Sequence, residues 1–131
     1  MLSFPKAPIL ARSVLHDFCC SMNGKRIYQT EAVQAFAASM SPLSRRKYLR
    51  ALHTLGLFGY LRMPEAEKVE GQDNLFEIRI ITDGNERFFY CYDAGTTVYV
   101  VHAFEKRTRK TPQREIAKAL EIKKSLLGGV S

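Results

Sequence analysis

The chain has 131 residues, of which 46% are hydrophobic and 25% are charged. This length is typical of a single domain with its own core, and the apolar content excludes wholesale disorder. No apolar run approaches the roughly 20 residues that a membrane-spanning helix needs. The 20 basic residues outnumber the 13 acidic ones, giving a net charge of +7, which favours a polyanionic partner such as nucleic acid.

The N-terminal segment, residues 1–29, gives the weakest signal. An apolar stretch from Val14 to Cys20 fits either a strand or a helical turn. Pro5 and Pro8 interrupt any signal-like apolar run, so we expect a cytoplasmic protein without a membrane partner. We divide the chain into this extension and one domain over residues 30–131. The extension could cap a sheet edge, mediate self-association or replace a first strand.

A helical hairpin is predicted next. Thr30 can cap a helix whose apolar residues recur at i, i+3, i+4 and i+7, and which should run to about Ser39. Ser41-Pro42 is a cap followed by proline at the first helical position, and it starts a second helix that ends near Gly56 or Gly59. The hairpin therefore spans Thr30 to Gly59.

The second half of the chain has the pattern of a sheet followed by a helix. Leu61 to Asn74 is rich in breakers and acidic residues and indicates a connection. Three β segments separated by turn residues then predict an antiparallel meander: Leu75–Ile81, Arg87–Asp93 and Thr97–Phe104. Thr111-Pro112 should cap a last helix that ends at Gly128-Gly129. The predicted class is α+β, with the hairpin packed on a twisted antiparallel sheet, a C-terminal helix, and all helices on one sheet face.

Positive charge is concentrated between the last strand and the last helix. This group consists of Lys106, Arg107, Arg109, Lys110 and Arg114. A cation-rich loop that leads into a helix N-terminus is suited to phosphate, so we interpret it as a phosphate-binding site. A second group lies on the second predicted helix: Arg45, Arg46, Lys47 and Arg50. For that group a solvated helix face is the commoner explanation.

Two arginines lie within the predicted meander, at Arg79 and Arg87. An arginine in a sheet must be paired or must face water. Strand alternation places Glu77 beside Arg79 on one face, so a salt bridge between these two is one explanation. The other is that both arginines project beside the Lys106 to Lys110 loop and form a cationic cleft. Arg87 follows a tight turn, and there its guanidinium should reach beyond the sheet toward that loop.

Aromatic, histidine and cysteine residues give weaker signals. Tyr90 and Tyr92 could stack on bases or pack in the core. The histidines are too scattered for a metal site, and His102 is expected to share a strand face with Val98, Val100 and Phe104. The cysteines, Cys19, Cys20 and Cys91, have no zinc-ligand spacing and are interpreted as reduced and structural. No cofactor motif or nucleophile elbow is present.

A family resemblance rests on several segments in a fixed order. Leu75 to Arg79 is followed by Arg87 to Tyr90, then by Val101 to Pro112 and Glu115 to Ala117. This arrangement, preceded by the predicted hairpin, resembles the phage-derived, HigB-like branch of the RelE toxin superfamily over roughly Thr30 to Leu127.

The resemblance implies a toxin of a toxin-antitoxin pair that cleaves mRNA, usually on the ribosome, without a metal or cofactor. Its partners would be a cognate antitoxin, of the helix-turn-helix type, together with the ribosome and mRNA. The implied catalytic residues are Arg79, Arg87, Lys106 and Arg107, which would orient phosphate and stabilise transition-state charge. We further assign RNA binding to Arg109, Lys110, Arg114, Tyr90 and Tyr92.

The chain departs from the resemblance in two places. Some relatives carry lysines at alternate positions of the strand Leu75 to Arg79, where this chain has Leu75 and Glu77. Two residues are therefore candidates for the general base: Glu77, and Lys106 if neighbouring cations favour its neutral form. The stacking tyrosine that some relatives place after the last helix cap is also missing.

Overall fold

The computed structural model describes residues 15–18 and 24–128. Their strands are β1 (Leu15–Phe18), β2 (Arg26–Thr30), β3 (Ala66–Lys68), β4 (Phe76–Ile81), β5 (Asn85–Asp93) and β6 (Thr97–Glu105). Their helices are α1 (Glu31–Ala38), α2 (Pro42–Phe58) and α3 (Gln113–Leu126). The α+β class is thus confirmed. No helix within the described ranges is long and apolar enough to cross a membrane.

The strands form one sheet in the order β1-β2-β6-β5-β4-β3. The predicted meander is present, because β4, β5 and β6 pair antiparallel. The sheet also has a parallel pair, β2 with β6, that was not predicted. More than 60 residues separate these two strands along the chain, and no local pattern links them. β2 therefore places residues 26–30 inside the sheet, with β1 as the edge strand beside it.

The helical hairpin begins and ends as the caps predict. The Thr30 side chain accepts a hydrogen bond from the backbone N–H of Val33 at 3.1 Å, which satisfies one donor at the start of α1. Ser41 caps α2 in the same way through the N–H of Ser44. Gly59 ends α2 with φ +84°, a conformation that glycine adopts without steric cost.

The helices lie on both faces of the sheet, so the prediction of a single helical face is wrong. The core beneath α1 and α2 contains Ile78, Ile80, Phe88 and Tyr90. The core beneath α3 contains Phe89 and Phe104, among others. Successive buried residues of β5 therefore belong to opposite cores, and the strand has a continuous apolar run. Such a run does not indicate from the sequence which face of the sheet α3 covers.

Two element boundaries differ from the predictions. β3 lies inside the predicted connection, where its three residues Ala-Glu-Lys carry no strand signal and owe their conformation to pairing with β4. β5 begins at Asn85, a residue predicted to lie in the turn. Arg87 is therefore the third residue of the strand and not its first.

A β-bulge shifts the phase of β6. Phe89 pairs with His102 and the next residue, Tyr90, pairs with Val100, so one residue of β6 is extra. After this bulge His102 packs with Phe89 and Phe104 on the α3 side, while Val100 belongs to the opposite core. The expectation that His102 shares a face with Val98 and Val100 is wrong, because period-2 alternation fails at an extra residue.

The turn between β4 and β5 is tied to the start of α2. The hydroxyls of Ser41 and Ser44 donate to Oδ1 of Asp83 at 2.9 and 3.0 Å. These two hydrogen bonds, that of Ser41 first, hold the pKa of Asp83 below its usual range.

We expect this contact to make the stability depend on pH. A carboxylate whose pKa is lower in the folded state stabilises the fold above its unfolded pKa, and this contribution disappears as pH falls through the folded pKa. The parent should therefore melt at a higher temperature than Asp83→Asn at pH 7, and the difference should shrink below about pH 4. Melting curves of both proteins between pH 7 and pH 2.5 test this, and a difference that does not change with pH would contradict it.

Candidate RNA-binding cleft

A cleft of about 450 Å³ opens on the α3 side of the sheet. Strands β3, β4 and β5 form its floor, and the loop between β6 and α3 forms its wall. Six cationic side chains line it: Lys68, Arg79, Arg87, Lys106, Arg109 and Lys110. Three carboxylates line it as well: Glu67, Glu70 and Glu77. The lining thus has a net charge of +3, and we name it the cationic cleft.

Strand register places Arg79 and Arg87 directly opposite each other on β4 and β5. Two like charges in this position destabilise a sheet unless each is neutralised. Arg79 Nη2 lies 2.8 Å from Glu67 Oε2, and Arg87 Nη1 lies 2.6 Å from Glu77 Oε2. The ion pairs are therefore between strands, and the alternative of a Glu77 to Arg79 salt bridge does not occur.

Arg87 is held at the bottom of the cleft. Its side chain is only 8% exposed, as is that of Glu77. Its Nε and Nη2 both donate to Asn85 Oδ1, at 3.2 and 3.0 Å. A guanidinium has five N–H groups, so two remain after these three hydrogen bonds. The expectation that Arg87 reaches beyond the sheet is wrong, because a buried carboxylate and an amide fix it within the sheet.

Arg79 is the more accessible of the two arginines, with 28% of its side chain exposed. Its Nε is nevertheless buried and makes no hydrogen bond to the described residues. Its ion-pair partner Glu67 is 35% exposed. Since both members of the pair contact water, removing Arg79 costs the fold less than removing Arg87.

The loop that forms the wall is organised by its own backbone. Lys106 Nζ donates to the carbonyl of Arg109 at 2.6 Å, and the hydroxyl of Thr108 donates to the carbonyl of Lys110 at 2.5 Å. The side chains of Arg109 and Lys110 are exposed and form no hydrogen bond or ion pair within the described part of the chain. They are therefore available to an anionic ligand.

The start of α3 completes the wall. The helix begins after Pro112, which has no capping side chain, so the prediction of Thr111 as the cap is wrong. Thr111 and Gln113 instead line the cleft. The first N–H groups of a helix have no acceptor within the helix and attract anions, so this end adds to the positive potential.

Two of the predicted cations lie outside the cleft. Arg107 is 80% exposed and lies 3.1 Å from Glu105, and Arg114 is 76% exposed. Neither lines the cleft, although each follows a residue that does: Arg107 follows Lys106, and Arg114 follows Gln113. Of the two basic residues predicted to close the last strand, the structure brings Lys106 to the cleft and leaves Arg107 in solvent.

The tyrosines lie on the other side of the sheet from the cleft. Tyr90 is 1% exposed and stacks on Phe76 with ring centroids 5.4 Å apart. The hydroxyl of Tyr92 donates to the carbonyl of Gly59 at 2.9 Å. In these positions neither ring can stack on a base bound in the cleft.

Sequence reasoning missed three charged cleft residues, Glu67, Lys68 and Glu70. The first two belong to β3 and the third follows it, in a segment that was predicted to be a connection. Only the pairing of Glu67 with Glu77 across β3 and β4 reveals that this strand contributes to the site. No local signal in the sequence could have found them.

Other reactive groups lie away from the cleft. His102 Nε2 is 2.6 Å from Glu115 Oε1 of α3, beneath the helix. Burial raises the pKa of the Cys91 thiol to about 12, which agrees with a structural cysteine, whereas Cys19 and Cys20 lie outside the described residues. Within the described ranges no three His, Cys, Asp or Glu residues are grouped to hold a metal ion.

Comparison with known proteins gives one family. A family model described as "Phage derived protein Gp49-like (DUF891)" matches residues 35–124, well over half of the chain. This match includes every strand and loop that forms the cationic cleft. No curated protein matches the chain.

Proposed function

The chain belongs to the Gp49-like family of phage-derived proteins, a family of RelE/HigB-type toxins, and from this premise we propose that it is an endoribonuclease that cleaves mRNA on the ribosome without a metal. The proposal rests on the cationic cleft. Buried Arg87 and partly exposed Arg79 line it together with three cations of the loop between β6 and α3. Such a site suits a phosphate whose negative charge increases during reaction.

The proposed reaction is attack of a ribose 2′-hydroxyl on the neighbouring phosphorus. Glu77 takes the proton of the 2′-hydroxyl, since its Oε2 is bound to Arg87 and its other oxygen makes no hydrogen bond within the described residues. The new O–P bond forms a phosphorane, and the bond to the 5′-oxygen then breaks. The products are a 2′,3′-cyclic phosphate and a 5′-hydroxyl.

Cations of the cleft have distinct roles in this proposal. Arg79 and the two remaining N–H groups of Arg87 stabilise the equatorial oxygens of the phosphorane. Lys106, whose Nζ donates to the carbonyl of Arg109, gives a proton to the leaving 5′-oxygen. Arg109 and Lys110 bind neighbouring phosphates of the same strand.

A second candidate is a non-catalytic ribosome-binding domain with the same fold. It is favoured by Leu75 and Glu77 at positions where some relatives carry lysines, and by the ion pairing of both arginines. Induced expression in bacteria separates the two. The proposal expects growth arrest with cleavage of translated transcripts, reversed by a cognate antitoxin, whereas ribosome co-sedimentation with intact mRNA would support the second candidate.

A further inference from the structure

A second cationic recess lies between α2 and the end of β4 that extends past β3. Its volume is about 360 Å³, and three cations, Lys47, Arg50 and Arg79, line it together with one carboxylate, Glu65, and the apolar residues Pro64, Ile80 and Ile81. We name it the α2 recess. It shares only Arg79 with the cationic cleft, so this arginine separates the two.

The charge of α2 has no internal compensation. Residues 42–58 contain Arg45, Arg46, Lys47 and Arg50 and no acidic residue. All four side chains are exposed, and none forms an ion pair or hydrogen bond with the described part of the chain. Helices that are simply solvated commonly carry both signs of charge, because i,i+4 pairs stabilise them. An uncompensated face of this kind is suited to an anionic partner.

Exposed apolar side chains are concentrated around the same helix. In the described residues the large exposed hydrophobics are Leu43, Leu49, Leu57, Phe58, Tyr60, Met63 and Ile81. The first four belong to α2, the next two to the loop after it, and Ile81 to the recess. Scattered apolar residues are normal on a surface, whereas these seven are grouped on α2, the loop after it and the end of β4.

Apolar and cationic residues share one side of α2. Leu43, Lys47 and Arg50 follow the spacing i, i+4 and i+7, so they share one side of α2, and the last two of them line the recess. Leu43 is 46% exposed, and Ile81 on the recess floor is 61% exposed. A partner that fits this side must present both aliphatic side chains and carboxylates at helical spacing.

This combination distinguishes a protein partner from RNA. The aliphatic side chains Leu43, Met63 and Ile81 offer no ring for base stacking and no donor for phosphate. The two exposed rings of the group, Phe58 and Tyr60, do not line the recess. Burying them against apolar protein side chains is favourable, by about 25 cal/mol for each Å² removed from water. Carboxylates of the same partner can pair with Lys47 and Arg50 at the rim.

We propose that the α2 recess docks an acidic amphipathic segment of the cognate antitoxin, an inference that rests on the proposed function. Carboxylates of that segment pair with Lys47 and Arg50, and its apolar side chains cover Leu43 and Ile81. The occupied recess contacts Arg79 from the side opposite the cationic cleft. The antitoxin can therefore act on the cleft through a residue that both sites share.

The test uses the full chain and the protein encoded by the reading frame adjacent to it. Their dissociation constant is measured by calorimetry for the parent, for Lys47→Glu/Arg50→Glu and for Arg45→Glu/Arg46→Glu. The last variant is a matched control, since it reverses the same number of charges on the same helix at two residues that do not line the recess. Ile81→Ser tests the apolar part, and melting temperatures confirm that each variant is folded.

The proposal expects Lys47→Glu/Arg50→Glu to weaken the complex at least about tenfold more than the control does, and Ile81→Ser to weaken it as well. RNA cleavage and ribosome binding by these variants without the partner should stay near those of the parent.

Equal affinity of both double variants, or no binding by the parent, would overturn the proposal. Loss of ribosome binding by Lys47→Glu/Arg50→Glu with unchanged affinity for the adjacent protein would assign the recess to RNA instead. A parent that binds the adjacent protein through the recess but never cleaves mRNA would refute the proposed function alone.

Discussion

Glu77→Gln is expected to lower the rate of mRNA cleavage by about 10²- to 10⁴-fold, the range that a general base contributes. The amide keeps an oxygen that accepts a hydrogen bond from Arg87, but it cannot take a proton from the 2′-hydroxyl. The effect should appear in the rate at saturating ribosomes and not in ribosome binding, because Glu77 is buried beneath the positions that bind phosphate.

The matched control for this variant is Glu67→Gln. It removes the same charge from an arginine-bound carboxylate of the same cleft, 2.8 Å from Arg79 instead of 2.6 Å from Arg87. We expect a much smaller change in rate, since Glu67 lies at the edge strand and is one third exposed. Cleavage by Glu77→Gln at the rate of the parent would eliminate Glu77 as the base and leave Lys106.

Arg87→Ala should lower the free energy of unfolding by about 3–5 kcal/mol. The substitution leaves the carboxylate of Glu77 buried without its counter-ion, and Asn85 loses two hydrogen bonds at the same time. The midpoint of urea unfolding measures the effect. A matched pair of substitutions, Arg87→Met with Glu77→Leu, should recover most of the loss, because well-packed apolar residues replace buried ion pairs at little cost.

Loss of activity in Arg87→Ala therefore does not by itself assign Arg87 to catalysis. Arg87→Lys is the more informative variant, since it keeps a charge beside Glu77 while it removes the two N–H groups proposed to bind the phosphorane. If Arg87→Ala unfolds at the same urea concentration as the parent, the buried pair contributes nothing to stability and the account of the cleft floor is wrong.

The helical hairpin and the three long strands could be predicted because their signals are local. Thr30 and Ser41-Pro42 mark helix starts through hydrogen bonds to residues three positions away. β3 and the parallel pairing of β2 could not be predicted in this way, because each depends on a strand distant in sequence. The face of the sheet on which each residue of β6 lies could not be predicted either, because the sequence gives no sign of the bulge before His102.

The candidate site was predicted in part for the same reason. Alternation along β4 puts Glu77 and Arg79 on one face, and the loop cations follow directly from the sequence. The partners of the two arginines depend on register between strands, which the sequence does not reveal. Lys106, the first residue after β6, lines the cleft, whereas the next residue, Arg107, extends into solvent. The sequence alone does not reveal which of these two neighbours enters the cleft.

The central claim is that the cationic cleft cleaves mRNA, and a comparison of Arg79→Ala with Arg107→Ala tests it most directly. Each substitution removes one arginine that is ion-paired with a glutamate, but only Arg79 lines the cleft. With purified protein, ribosomes and a translated transcript, the account predicts that Arg79→Ala lowers the cleavage rate by about 10²- to 10³-fold while Arg107→Ala stays within a few-fold of the parent. Equal rates for the two variants, or a parent that leaves the transcript intact, would contradict it.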